Sequence, residues 1–158
     1  MTTVFDSLRC RVRLTWDDEK HEEVEVNRPD DIYRIVRDEL AHSDRELFLS
    51  VLLTAHNTVI GIETVGVGSL CSCSVVPREL FKSAILANAG CLVLCHNHPS
   101  GDLTPSNEDR QMTEKLKKAG DILGIPILDH IIITNKGFTS LAEHTQTKSI
   151  LSRTRRTR

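Results

Sequence analysis

Leu94-Cys95-His96-Asn97-His98-Pro99-Ser100-Gly101-Asp102-Leu103-Thr104-Pro105-Ser106-Asn107-Glu108-Asp109 is the stretch that decides how this chain folds and what it can bind. An apolar run, Cys91 to Cys95, leads into it, and a polar pattern of helical period leads out. Side chains at i and i+2 of a strand point to one face, so His96 and His98 at a strand end can aim both imidazoles at one point. A carboxylate on the first turn of the next helix can then complete three protein ligands around an open fourth position, the layout of a catalytic zinc site. A single buried histidine is usually structural, and His21, His42, His56 and His144 carry no partner signal. Two histidines in H-x-H at a strand end, followed by Pro99 and a glycine-bearing loop, are hard to explain as packing, because neutral imidazole is the commonest metal ligand and the strand sets the pair's spacing.

Ser106-x-x-Asp109 has an ordinary meaning as well. It reads as a capping box, with Ser106 as N-cap and Asp109 reaching back to it. After the histidine pair it gains a second one: the helix's first turn would hold the Asp109 carboxylate near the two imidazoles. The Ser106 hydroxyl would then face the open position and could hydrogen-bond an oxyanion forming there.

Working outward, Cys91–Cys95 reads as a short central strand. Upstream of it, Pro77-Arg78-Glu79 starts a helix with Leu80, Phe81, Ala84, Ile85 and Ala89 on one buried face, closed by Asn88-Ala89-Gly90. Strands are expected over 46–53, where the apolar density suits burial on both faces, over 59–65, and over 70–76, with a turn at His56-Asn57 and punctuation by Gly66 and Gly68. Pro29-Asp30-Asp31, capped by Asn27 or Arg28, begins a helix running to about Leu40. Before it, 9–16 alternate basic and apolar residues and 21–26 alternate again around Glu23 and Glu25, which predicts a β-hairpin. Downstream, a helix is expected over 108–123, with Gly120 weakening its last turn and Gly124 stopping it. One or two strands follow over 125–134, then a turn at 135–137 and a short edge strand over 138–141. The sum is a single mixed α/β domain, a central sheet between helices.

Composition agrees with an ordinary globular chain of 158 residues, 39% apolar and 27% charged, with no apolar run near the ~20 residues that a membrane span needs. The N-terminus lacks a secretory pattern, and five cysteines is an odd number, so a cytoplasmic chain with free thiols is expected. Cys71-x-Cys73 and Cys91-x-x-x-Cys95 could be imagined as a structural zinc site with His96, but the spacing is wrong for C-x2-C knuckles and an apolar strand is an ordinary place for cysteine. The net charge of −2 is unevenly placed, acidic between Asp17 and Glu25 and basic at the end. Arg153, Arg155, Arg156 and Arg158 could make weak nucleic-acid contact, although with no matching basic patch in the body they read as a solvated tail.

His96-x-His98-Pro99, ten residues and then Asp109, with Ser106 three places before it, resembles the JAMM signature of the JAB/MPN+ metalloproteases. Val76-Pro77-Arg78-Glu79-Leu80-Phe81, His96-Asn97-His98-Pro99-Ser100-Gly101-Asp102, Pro105-Ser106-x-x-Asp109 and Leu128-Asp129-His130-Ile131-Ile132-Ile133 are similar to the RadC-like branch. The resemblance covers residues 44–144. It implies a three-layer α/β domain of the cytidine-deaminase-like, JAB/MPN type over 44–145, after a hairpin and helix at 1–43 and before the basic tail at 146–158. It further implies one zinc held by His96, His98 and Asp109, a water as fourth ligand, and an upstream glutamate as general base. Glu46 matches that position. Glu79 is a competitor that also reads as a helix first-turn acid, and Glu63 lies in an expected strand without supporting signal. The activity implied is metal-assisted hydrolysis of a peptide or isopeptide-like bond in a peptide or protein substrate. The alternative is a metal-binding module associated with DNA repair or mobile elements that cuts no peptide. Asp102 could orient an imidazole or serve the turn after Gly101, and Asp129-His130 reads as part of a buried hydrogen-bond network.

Overall fold

A computed structural model of the chain describes residues 14–15, 23–68 and 75–143. In order these form α1 (Pro29–Leu40), β1 (Leu47–Leu53), β2 (Val59–Val67), α2 (Pro77–Leu86), β3 (Cys91–Asn97), α3 (Asn107–Leu123), β4 (Ile127–Thr134) and β5 (Gly137–Ser140). The strands make one sheet in the order β2-β1-β3-β4-β5. β1 runs antiparallel to both β2 and β3, and β4 and β5 form an antiparallel pair. β3 and β4 are parallel, which requires a crossover, and α3 supplies it.

Strand alternation sorts the core into two layers. Leu49, Val51 and Leu53 of β1 and Cys91, Val93 and Cys95 of β3 face one side, where Ile32, Val36 and Leu40 of α1 cover them at helical spacing. Phe48, Leu52, Leu92 and Leu94 face the other side, against Leu80, Phe81 and Ala84 of α2 and Leu116 of α3. Helices on both faces of a mixed sheet give the three-layer α/β domain that the sequence leads one to expect. β3 lies at the centre and is buried at every position.

The helix termini follow their local chemistry. The Asp31 carboxylate accepts the backbone N–H groups of Asn27 and Arg28 at 3.0 and 2.9 Å, closing the entrance to α1. Those two bonds hold its pKa below the ordinary carboxyl value. α3 ends on Gly124 at φ +70°, a left-handed cap that glycine adopts without steric cost. Among the described residues, no helix is long and apolar enough to cross a membrane.

Several boundaries differ from the sequence reading. β3 runs two residues past Cys95, so His96 belongs to the strand itself, because β1 and β4 both continue alongside it. Gly66 does not end β2 but lies within it opposite Phe48, at an irregularity in the ladder. Most of the strand expected over 70–76 lies outside the described residues, and Val76 is the N-cap of α2. The hairpin over 9–26 also falls largely outside them. What is described is a single antiparallel bridge from Glu25 to Thr58, with Val26 N–H bonded to the Asn57 carbonyl and Val59 N–H to that of Val24. The arginine tail lies outside the described residues as well.

Candidate metal centre

His96 continues the even-numbered face of β3 and is fully buried on the α2–α3 side of the sheet. His98 follows the strand end, fixed by its own N–H to the Ile133 carbonyl at 3.1 Å. Its Nε2 lies 3.0 Å from Nε2 of His96. Asp109, in the first turn of α3, sets Oδ1 3.1 Å from His96 Nε2 and Oδ2 3.4 Å from His98 Nε2. Among the described residues these three form a group whose ligand atoms all lie within 4.8 Å of one another.

The rest of each side chain is tied away from that centre. His98 Nδ1–H donates to the main-chain carbonyl of Asp102 at 2.7 Å. The Asp102 carboxylate instead accepts the Thr104 N–H at 2.8 Å, so this residue orients the imidazole through its backbone while its side chain closes the turn. His96 Nδ1 lies 2.7 Å from His130 Nε2, and His130 Nδ1 lies 2.6 Å from the Thr113 hydroxyl. Phe48 packs beneath both rings, stacked on His96 at 6.0 Å and tilted against His130 at 5.4 Å. Asp109 is held by Ser106, whose N–H and hydroxyl both donate to Oδ2, at 2.8 and 2.6 Å, while its Oγ accepts the Asp109 N–H at 3.0 Å. The capping box is therefore formed, and it is also what orients the carboxylate.

Electrostatics match a cation site. Burial would raise the pKa of Asp109, but hydrogen bonds with His96 and His98 outweigh it and hold the carboxyl well below its ordinary range. His98 is raised, first by its hydrogen bond to Asp109, against the effect of burial, with the Asp102 carbonyl and the charges of Asp109 and Glu46 adding. Burial, and then the neighbouring His96, push His130 well below its ordinary value. Two imidazole nitrogens and a carboxylate crowd one space, with the far nitrogen of each ring engaged elsewhere. This donor set could hold a metal ion, whose charge would relieve the crowding of lone pairs.

The three glutamates separate clearly. Glu46 is half-buried and directly precedes β1, whose Phe48 pairs with His96 across the β1–β3 ladder, and its charge is among those that raise the His98 pKa. Its main chain is held by the Gly68 N–H, which donates to the Glu46 carbonyl at 2.7 Å. Glu79 is exposed in the first turn of α2 and paired with Lys82 at 3.1 Å and Arg78 at 3.5 Å. Glu63 receives the Ser83 hydroxyl, a bond between β2 and α2. Cys91 and Cys95 are free thiols on the α1 face, opposite to His96, so alternation keeps them out of a site with it; Cys71 and Cys73 lie outside the described residues. Asp129 and His130 are buried in hydrogen-bond networks, Asp129 accepting from Ser140 Oγ at 2.6 Å and from the N–H groups of His130 and Ala142 at 2.7 and 3.0 Å.

Two residues have functional positions that the sequence did not single out. Asn97, between the two histidines, points to the other face, accepts the Leu47 N–H at 2.7 Å and donates to the Arg45 carbonyl at 2.9 Å. It thereby brackets Glu46 on both sides. Thr113 stands one helical turn after Asp109, a spacing that could have flagged it.

The fold and site define an α/β domain with a His-His-Asp group, buried at His96 and Asp109 and half-buried at His98, that could bind metal. A family model described as the RadC-like JAB domain matches residues 26–146, and the chain belongs to that family. It is 49% identical over 118 residues to a UPF0758 protein of Desulfitobacterium hafniense (strain DSM 10664 / DCB-2), covering 75% of this chain and 52% of the relative. With a UPF0758 protein of Desulforamulus reducens the identity is 51% over 113 residues, 72% of this chain and 50% of the relative. A Moorella thermoacetica UPF0758 protein is 49% identical over 118 residues, 75% of this chain and 52% of the relative. The chain thus spans about half the length of the curated relatives it matches. The matched region begins at Val26 and takes in α1, which forms one layer of the domain.

Proposed function

We propose that this domain is a zinc-dependent amide hydrolase, a peptidase or isopeptidase of the JAMM kind. The observation that carries the proposal is the convergence of His96 Nε2, His98 Nε2 and the Asp109 carboxylate, each backed by a hydrogen bond on its far side. His96, His98 and Asp109 would hold the ion. Zinc, when bound, lowers the pKa of a coordinated water toward about 7 and polarises a carbonyl. Glu46, whose charge acts on His98, takes the proton of the attacking water and returns it to the leaving amine. Ser106, whose hydroxyl donates to the Asp109 carboxylate, would turn that hydroxyl toward the tetrahedral oxyanion when one forms.

The test is an unbiased peptide and protein substrate screen on wild type, Asp109→Asn and Glu46→Gln, with zinc content measured in each. Wild type should carry about one zinc per chain and cleave. Asp109→Asn should lose both properties, and Glu46→Gln only cleavage. Bound zinc without any hydrolysis would favour the metal-binding module that cuts nothing. Full activity of Glu46→Gln would remove Glu46 from the role of base.

A further inference from the structure

We propose that His130 and Thr113 form a proton-ordering relay that sets His96 in the tautomer needed to bind metal, making both positioning residues for the site; this rests on the metal-binding reading above. Every member is buried. His96 and His130 are inaccessible, and Thr113 and Asp109 are 5% and 6% exposed, so no bulk water competes for the hydrogen bonds.

With an ion held by His96, His98 and the Asp109 carboxylate, the atoms that face it would carry no proton, and the order of the remaining protons follows from the one other group that has no choice. The main-chain carbonyl of Asp109 can only accept, and the Thr113 hydroxyl lies 2.6 Å from it, so that contact holds the threonine's single proton. The same Thr113 oxygen, 2.6 Å from His130 Nδ1, must then accept, which puts the His130 proton on Nδ1. A neutral imidazole carries one proton, so His130 Nε2 is bare and accepts from His96 Nδ1 at 2.7 Å. The His96 proton is thereby held on Nδ1, and its Nε2 lone pair faces His98 Nε2 and Asp109 Oδ1 at 3.0 and 3.1 Å.

Asp109 stands at both ends of the relay. Its carboxylate meets the freed lone pair, while its carbonyl starts the ordering one helical turn from Thr113. The strand bearing His96, the strand bearing His130 and the helix bearing Asp109 are thus coupled by one chain of hydrogen bonds that runs from the Asp109 carbonyl to His96. A ligand histidine whose other nitrogen is held by a hydrogen-bond partner binds metal more strongly, and loss of such partners typically costs about 10–100-fold in affinity.

Thr113→Val keeps the shape and removes the hydroxyl, whereas Thr113→Ser keeps the hydroxyl. Each variant of the chain, stripped of metal, is titrated with zinc against a chromogenic chelator, and imidazole nitrogen-15 spectra are recorded on the zinc-loaded proteins. Thr113→Val should bind zinc about 10–100-fold more weakly, and Thr113→Ser should restore binding to near the wild-type level. The zinc-loaded wild type should show His130 protonated on Nδ1 and His96 on Nδ1, and Thr113→Val should lose that pattern. A folded Thr113→Val that binds zinc as tightly as wild type overturns the relay, as does a wild-type His130 protonated on Nε2. Failure of the wild type itself to take up zinc would instead overturn the metal reading, and the relay's purpose with it.

Discussion

Asn97 shows how much one side chain between two ligands can organise. Strand alternation sends His96 to the α2–α3 face and Asn97 to the opposite one, where its amide ties the segment that leads into β1. The Leu47 N–H and the Arg45 carbonyl flank Glu46, the proposed base, so its backbone is referenced on both sides to the strand that carries His96. Replacing Asn97 with alanine leaves the Leu47 N–H without its partner, while the Arg45 carbonyl keeps the Ser43 hydroxyl at 2.8 Å, and an unsatisfied buried group costs about 1–3 kcal/mol of stability. It also frees Glu46 to drift, and misplacement by about 1 Å can cost on the order of 100-fold in rate. Asn97→Ala is therefore expected to keep zinc but lose about 10–100-fold in turnover, measured as metal content and rate on the same preparation. Loss of zinc in step with activity would mean that Asn97 acts on the ligands instead. H-x-H made His96 and His98 legible from sequence because strand geometry fixes their spacing. The bonds of Asn97 to Leu47 and Arg45 span 50 and 52 residues and were invisible until the strands were paired.

At the scale of the element, α3 carries Asp109 at one end and its cap at the other, and Gly120 decides how closely its last turn meets the next strand. By helix propensity Gly120 weakens the helix, and alanine should improve it by up to about 1 kcal/mol. The packing reverses that sign. A Cβ at Gly120 would lie 2.6 Å from the Ile125 carbonyl oxygen and 3.3 Å from Phe81, and the Ile125 N–H donates to the Gly120 carbonyl at 3.0 Å in the same turn. The obstruction is backbone, which cannot swing aside as a flexible side chain would. Gly120→Ala is expected to destabilise the fold by about 1–3 kcal/mol, the usual cost of overpacking, read by chemical denaturation; a stabilised variant would mean that the helix terminus yields easily. Most helices and strands were legible because caps and apolar periods are local signals, as with Pro29, Ser106 and Gly124. The continuation of β3 through His96 was not, since it depends on β1 and β4 running beside it.

For the molecule as a whole, the site joins segments that the chain order keeps apart. His96 comes from β3, His98 from the loop after it, and Asp109 from α3, while His130 on β4 backs His96 from 34 residues away. An ion held by the first three would couple the central strand to the crossover helix, and it would bind the folded chain while the unfolded chain offers no such geometry. Alternating apolar strands announce a sheet but not its order, so this linkage became visible only once β3 was placed between β1 and β4. Binding to the native state alone stabilises by RT ln(1 + [L]/Kd), about 2.7 kcal/mol at a hundredfold excess over Kd. Thermal unfolding of the zinc-loaded chain should therefore occur at a higher temperature than in chelator. The difference should grow with free zinc and vanish in His96→Ala, whose imidazole is the most deeply enclosed of the three ligands. A rise of equal size in His96→Ala would place the stabilising ion somewhere other than the His-His-Asp centre.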